Sequence, residues 1–161
     1  MFWAAFSGDE RRTGLIPLFG DSNSERGGVN RFVIEALYRR ILPILIDNED
    51  GIFQHDNAPT HTAHVVRDAL IELGVEVMDW PPHSPDLNPI ENLWALLKAK
   101  IYEIRPDLIY MRNNDTTKDI LVSTTQEAWD QLDTRHLQHL SETMPHRVEA
   151  IIESQGWYTP Y

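Results

Sequence analysis

The alternation of short apolar runs with stretches of helical periodicity most constrains the fold of this chain. Four runs rich in apolar residues are bounded by glycine, proline or turn-forming residues, as is typical of β-strands. They occupy residues 1–6, 15–19, 52–56 and 75–80. Three further stretches place apolar side chains three and four positions apart, which predicts amphipathic helices. They cover residues 29–41, 63–73 and 90–101. This order of elements predicts an α/β domain with a mixed sheet and flanking helices.

The periodicity also predicts which helical side chains are buried. In the first helix the apolar face is expected to consist of Val29, Phe32, Val33, Ala36, Leu37 and Ile41. In the third helix it is expected to consist of Ile90, Leu93, Trp94, Leu97 and Ile101. Pro43 is expected to end or kink the first helix. Thr60 or Thr62 is expected to cap the second helix, and Gly74 fits the left-handed position beyond its end.

The C-terminal third of the chain is predicted to be mainly helical. Residues 105–122 are polar and without a clear period, and a helical region is predicted over about residues 124–155. Thr124 and Glu127 have the spacing of a capping box at the start of this region. Because the connections are too short to hold a second domain, residues 1–161 are predicted to form one domain.

The composition excludes several classes of protein. The 161 residues include 14 Lys and Arg against 25 Asp and Glu, which gives a formal charge of −11, and none of them is cysteine. The absence of cysteine excludes a disulfide scaffold, a thiol nucleophile and a cysteine-ligated zinc site. No run approaches 18 apolar residues, so no membrane span is expected. Basic residues form no stripe, which argues against DNA binding by the chain alone.

Two carboxylates stand where regular elements begin or end. Asp56 is at the predicted end of a strand, and Glu91 is in the first turn of a predicted helix, with 34 residues between them. If they converge in space, two such groups would bind a hard divalent cation such as Mg²⁺. We expect their carboxylates to lie roughly 4–8 Å apart, as two-metal sites for phosphoryl transfer allow.

Both acids also have a purely structural interpretation. Asp56 would close its strand with an Asx turn. Asn88, Pro89 and Glu91 have the spacing of a helix start in which Asn88 is the N-cap and Glu91 completes a capping box. The residues by themselves leave metal binding and capping open for both acids.

Three histidines lie close together in the sequence. His55, His61 and His64 suggest zinc at first sight. However, no acidic residue lies between His61 and His64 and no cysteine completes a set of ligands, so the spacing favours exposed or hydrogen-bonded histidines.

Two longer segments resemble known motifs. Residues 53–61, FQHDNAPTH, resemble the second-aspartate motif of mariner-type transposases, and residues 80–94, WPPHSPDLNPIENLW, resemble their third-acid motif. The 34-residue interval is typical of the branch of this family that ends in glutamate. Residues 144–152, MPHRVEAII, and the terminal Thr159-Pro160-Tyr161 resemble the end of the same catalytic domain.

This resemblance implies a ribonuclease H-like fold in which Asp56 is the second and Glu91 the third of three metal-binding acids. The implied activity is that of a DNA transposase, a metal-dependent DNA endonuclease and strand transferase, with Mg²⁺ as the cofactor and Mn²⁺ as an alternative. The implied partners are transposon-end and target DNA and a second copy of the chain, in the nucleus, with no membrane involved.

The first aspartate of the family corresponds to a strand that would precede Met1. The resemblance therefore implies a ribonuclease H-like domain without its first central strand, and a chain that is inactive and binds DNA weakly by itself. The alternative is a non-catalytic interaction or regulatory remnant that pairs with a full-length transposase.

Overall fold

The computed structural model describes residues 1–9, 11–25, 27–46, 51–81, 84–157 and 159–161. The strands are β1 (Phe2–Trp3), β2 (Ile16–Pro17), β3 (Ile52–Phe53) and β4 (Glu76–Val77). The helices are α1 (Arg31–Leu45), α2 (His64–Glu72), α3 (Ile90–Ile104), α4 (Asp115–Asp130), α5 (Arg135–Glu142) and α6 (Met144–Glu153). Single 3₁₀ turns lie at Pro85–Leu87 and Pro106–Tyr110. Among these described residues, no helix has the length and apolar character needed to cross a membrane.

The chain divides into two compact units. The first consists of residue 1 with residues 18–84, and the second of residues 2–17 with residues 85–161. Strands and helices occur in both units, and parallel and antiparallel pairing are both present, so the predicted mixed α/β fold is confirmed. The assignment of residues 1–161 to a single domain stays a prediction.

The first unit is built around a parallel pair of strands. Ile52 of β3 lies opposite Glu76 of β4, and Phe53 lies opposite Val77. Because parallel strands need a crossover connection, helix α2 occupies the stretch between them. Helices α1 and α2 pack against each other. Their buried side chains are Ile34, Leu37, Tyr38, Leu42, Val66, Ala69 and Leu70.

The buried face of α1 differs from the predicted one. Phe32 and Ala36 were expected inside but are exposed, whereas Ile34 and Tyr38 are buried. The Asn30 side chain accepts hydrogen bonds from the amides of the first helical turn, so the helix begins after Val29 and not at it. Ile34, Leu37, Tyr38 and Leu42 also follow a spacing of three and four, so the periodicity alone did not distinguish the buried face from the face one residue away.

The ends of α1 and α2 also differ in part from the predictions. Helix α1 continues for two residues beyond Pro43. The expected threonine cap of α2 is wrong, because the N-cap is Ala63 and no side chain caps the helix there. Gly74 does adopt the left-handed conformation, with φ of 68°. Its amide donates to the Ile71 carbonyl and the next amide donates to the Leu70 carbonyl, which closes the helix as predicted.

The second unit combines the antiparallel pair β1–β2 with helices α3 to α6. Its core is an apolar cluster of Ala4, Leu15, Leu93, Leu97, Ile101, Ala128, Trp129, Leu137 and Leu140. The indole N–H of Trp129, which is 1% exposed, donates a 2.9 Å hydrogen bond to the carbonyl of Thr13. This bond joins helix α4 to the segment between β1 and β2. The ring of Trp94, expected to be buried, is half-buried at the edge of this cluster.

Helix α4 begins nine residues before the predicted start of the C-terminal helical region. Its N-cap is Asn114, whose side chain accepts from the amide of Thr117. Thr124 is buried within the helix, so the predicted capping box with Glu127 is wrong. The first two turns contain polar and β-branched residues of low helix propensity, so the sequence did not predict a helix there. Packing of its later apolar side chains against α3 stabilises it.

Candidate metal centre

Asp56 lies in the loop that follows strand β3, in the first compact unit. Its carboxylate is 58% exposed, and its Oδ1 atom accepts a 3.1 Å hydrogen bond from the amide of Ala58. This is the Asx turn that the sequence predicted. The next residue, Asn57, donates from Nδ2 to the carbonyl of Trp80 at 2.6 Å, which ties this loop to the segment after β4. The Asp56 carboxylate is therefore on an anchored loop but still faces solvent.

His61 lies beside this carboxylate. Its Nε2 atom is 3.8 Å from Oδ1 of Asp56, and its Nδ1 atom is hydrogen-bonded to the hydroxyl of the fully buried Tyr38. Burial lowers the pKa of His61 below its ordinary value; the attraction of Asp56 opposes this shift, and nearby His55 adds to it. A lowered pKa favours the neutral imidazole, which is the form that binds metals.

His55 completes a group of three possible ligands. Its ring stacks on that of His61 with centroids 5.4 Å apart, and it is hydrogen-bonded through Nδ1 to the Asp56 carbonyl. One ligand atom from each of His55, Asp56 and His61 lies within 4.8 Å of the others. We call these three residues the His-Asp-His cluster. Two nitrogens and one carboxylate oxygen suit a divalent first-row transition metal better than they suit Mg²⁺.

The rings around the cluster restrict its geometry. The Tyr38 ring meets Phe53 edge-on with centroids 5.3 Å apart and also contacts the His61 ring. When one nitrogen of a histidine ring is held by a hydrogen bond, the orientation of the ring is fixed and the other nitrogen faces the metal. The hydrogen bond between Nδ1 of His61 and the Tyr38 hydroxyl leaves the Nε2 atom directed toward Asp56.

Glu91 lies in the first turn of α3, in the second compact unit, and is exposed. The predicted capping box is not formed, because α3 begins after Pro89 without a side-chain cap. The Glu91 amide donates to the backbone carbonyl of Asn88 at 3.1 Å. Within the described parts of the chain, no hydrogen bond or ion pair involves the Glu91 carboxylate. Its oxygens are therefore available to a cation.

The structure brings together some of the predicted site residues. His55, Asp56 and His61 form one cluster, while His64 is the first residue of α2, is exposed and is not part of that cluster. Asp56 belongs to the first compact unit and Glu91 to the second. Their expected separation of roughly 4–8 Å stays a prediction.

The sequence predicted neither the contact of Tyr38 with His61 nor the clustering of His55 and His61 with Asp56. Zinc motifs that are recognisable from sequence place their histidines about one helical turn apart. The pair His55-Asp56 with His61 five residues further on follows no such pattern. A loop that folds back on itself after β3 brings them together. The sequence indicated the burial of Tyr38 only weakly, because it is an aromatic residue one helical turn from apolar positions of α1.

Comparisons with known proteins agree on one family. Residues 10–107 match the family described as DDE superfamily endonuclease. The Tc1 transposase of Caenorhabditis elegans is 34% identical over 136 residues, covering 83% of this chain and 46% of the relative. The Tcb1 transposase of Caenorhabditis briggsae is 34% identical over 164 residues, covering 100% of this chain and 54% of the relative. The chain thus spans about half the length of the curated relatives that it matches.

Solved structures of the Mos1 transposase are similar in fold. The Mos1 strand transfer complex superposes with a TM-score of 0.66 at 25% identity, over 92% of this chain and 40% of the Mos1 chain. The Mos1 paired end complex with Mn superposes with a TM-score of 0.62 at 27% identity, over 83% of this chain and 38% of the Mos1 chain. The fold of this chain is accordingly the ribonuclease H-like fold of that catalytic domain.

Proposed function

This chain belongs to the DDE superfamily of endonucleases, and from that premise we propose that it is the C-terminal catalytic portion of a DNA transposase. The observation that carries the proposal is the solvent-facing carboxylate of Asp56 on an anchored loop after β3, beside the His61 ring. Glu91, exposed in the first turn of α3, is proposed as the second acid of the same site.

Each proposed ligand has a distinct role. The Asx turn orients the carboxylate of Asp56, and Glu91 is fixed by a helix whose Leu93 and Leu97 are buried in the core. A divalent cation bound by these acids would supply Lewis-acid activation of the attacking oxygen and stabilisation of the leaving oxygen in phosphoryl transfer. Tyr38 holds His61 so that its Nε2 atom faces Asp56.

The proposed cofactor is Mg²⁺, with Mn²⁺ as an alternative. Oxygen ligands from Asp56 and Glu91 suit both ions, whereas a nitrogen from His61 favours Mn²⁺ over Mg²⁺. A Mos1 structure that resembles this chain was solved with Mn, in a paired end complex.

The proposed partners are transposon-end DNA, target DNA and a second copy of the chain, and the proposed location is the nucleus. By itself, however, the chain is expected to bind DNA weakly. Its formal charge is −11, and affinity for phosphate depends on Lys and Arg that displace counterions. The chain alone is also expected not to cut DNA, because the sequence supplies only two acids that match the three of the family.

A cleavage assay tests this function. The purified chain is incubated with labelled transposon-end DNA and Mg²⁺ or Mn²⁺, beside a longer chain that adds an upstream strand bearing a third acid. The expected result is cleavage by the longer chain alone, lost in Glu91→Gln and Asp56→Asn. Cleavage by the shorter chain that Glu91→Gln abolishes would disprove the expected inactivity. Inactivity of both chains would favour the alternative of a non-catalytic remnant that pairs with a full-length transposase.

A further inference from the structure

Arg147 of helix α6 is the most deeply buried charged side chain among the described residues. It is 2% exposed, and each of its three guanidinium nitrogens donates a hydrogen bond. Nη1 donates to the backbone carbonyl of Asp86 at 2.7 Å, Nη2 to Oδ1 of Asn92 at 2.8 Å, and Nε to Oγ1 of Thr143 at 2.8 Å. A buried guanidinium with all three nitrogens bonded is a rigid connection between the elements that it joins.

The elements joined in this way converge on the segment that carries Glu91. Asp86 lies in the 3₁₀ turn that precedes α3, and Asn92 lies in the first turn of α3, directly after Glu91. The end of the chain packs on the same group, because the Tyr161 ring lies 4.7 Å from the Arg147 guanidinium and Thr159 donates to Oδ2 of Asp86 at 2.9 Å. All of these residues belong to the second compact unit.

We propose that Arg147 is a positioning residue for Glu91. The proposal rests on the proposed function, in which Glu91 is a metal ligand. The bond to Asn92 fixes the rotation of the first turn of α3 about the helix axis, and the bond to Asp86 fixes the direction from which the chain enters that turn. Together they set the direction of the Glu91 side chain, which forms no hydrogen bond or ion pair with Arg147 in the described parts of the chain.

The geometry explains why the residue is arginine. Three acceptors on three different segments surround the group, and a planar guanidinium reaches all three at once. A lysine ammonium is a single point donor and cannot span them. Arg147→Lys is therefore expected to keep the charge but lose most of the positioning.

The proposal is tested by Mn²⁺ affinity, measured on the folded 161-residue chain by electron paramagnetic resonance. Arg147→Met is expected to weaken Mn²⁺ binding about tenfold, at the low end of the loss that follows removal of partners around metal ligands. The same substitution in a Glu91→Gln background is expected to have no further effect. This cycle separates action through Glu91 from a general loss of structure, which would weaken binding in both backgrounds.

Thr143→Val is the matched control. It removes the hydrogen bond between Nε and the residue that precedes α6, and it leaves the bonds to Asp86 and Asn92, so Mn²⁺ affinity is expected to stay at the wild-type value. Where Arg147→Met does not fold, Asn92→Ala replaces it in the same cycle. An unchanged affinity in either variant, or an equal loss with and without Glu91, would overturn the positioning role. Failure of the proposed function is distinguishable, because Glu91→Gln alone would then leave Mn²⁺ affinity unchanged.

Discussion

The Nε2 atom of His61 lies 3.8 Å from the Oδ1 atom of Asp56. This distance is too long for a hydrogen bond. One cation can bind both atoms at this separation. Two metal–ligand bonds of about 2.1 Å that meet at an obtuse angle at the metal span such a distance. A protein hydroxyl, that of Tyr38, holds the other nitrogen of the ring. The spacing of the pair is compatible with a carboxylate and an oriented imidazole binding the same ion.

His61→Ala is expected to weaken Mn²⁺ binding about tenfold and Mg²⁺ binding much less, because Mn²⁺ accepts an imidazole nitrogen more readily than Mg²⁺ does. Competition titrations of the two ions measure both affinities. His64→Ala is the control, since His64 is exposed and lies outside the His-Asp-His cluster. Equal effects of His61→Ala on both ions would show that the imidazole is not a ligand.

Trp129→Ala is expected to lower the free energy of unfolding by about 3–5 kcal/mol, because it empties a buried site and leaves the carbonyl of Thr13 without its hydrogen bond. Trp94→Ala is the matched control, since the two rings lie 5.9 Å apart but Trp94 is only half-buried. Trp94→Ala is expected to lower the free energy of unfolding by less than Trp129→Ala does. Urea denaturation measures both, and a greater loss for Trp94→Ala would contradict the observed packing.

Asp133 is expected to make stability depend on pH in the acid range. Hydrogen bonds from the side chain of Arg135, and then from its amide, lower the pKa of Asp133 from 3.8 to about 2. Because the folded state holds the charged form more strongly, this contribution is present above pH 3.8 and is lost as the pH falls toward about 2. The melting-temperature difference between wild type and Asp133→Asn is therefore expected to shrink over that interval.

Arg135→Gln supplies the control for this pH dependence. It removes the side-chain donor that is the main cause of the low pKa of Asp133. In this variant the pKa of the Asp133 carboxyl, measured by NMR titration, is expected to move back toward 3.8. An unchanged titration in Arg135→Gln would refute the assigned cause.

Gly74→Ala is expected to destabilise the first unit by about 1–2 kcal/mol, the cost of a left-handed backbone for a residue with a Cβ atom. The cause is conformational, because φ is 68° and an added Cβ would meet nothing within 4 Å. Gly14→Ala is the control, since the same space is open there and φ is not positive. Thermal melts compare the two, and equal melting temperatures would show that the end of α2 relaxes without cost.

Much of the fold could be predicted from the sequence because its signals are local. Apolar spacing of three and four residues located α2 and α3, and glycine located the end of α2. The same local signals placed Glu91 in the first turn of a helix and Asp56 at the end of a strand, although β3 ends at Phe53 and Asp56 lies in the following loop. They were weaker where a helix opened with polar residues, and α4 was predicted to begin at residue 124 although it begins at Asp115.

The contacts that complete the candidate site depended on tertiary structure. Tyr38 and His61 are 23 residues apart, and Arg147 and Asn92 are 55 apart. No periodicity links such positions, because their contact is produced by the packing of separate helices and loops. The sequence alone thus determined which acids are candidate ligands and the elements that carry them. The tertiary structure decided which buried side chains contact the neighbours of these acids, Tyr38 with His61 and Arg147 with Asn92, because a hydrogen bond between distant residues forms only after the elements that carry them have packed.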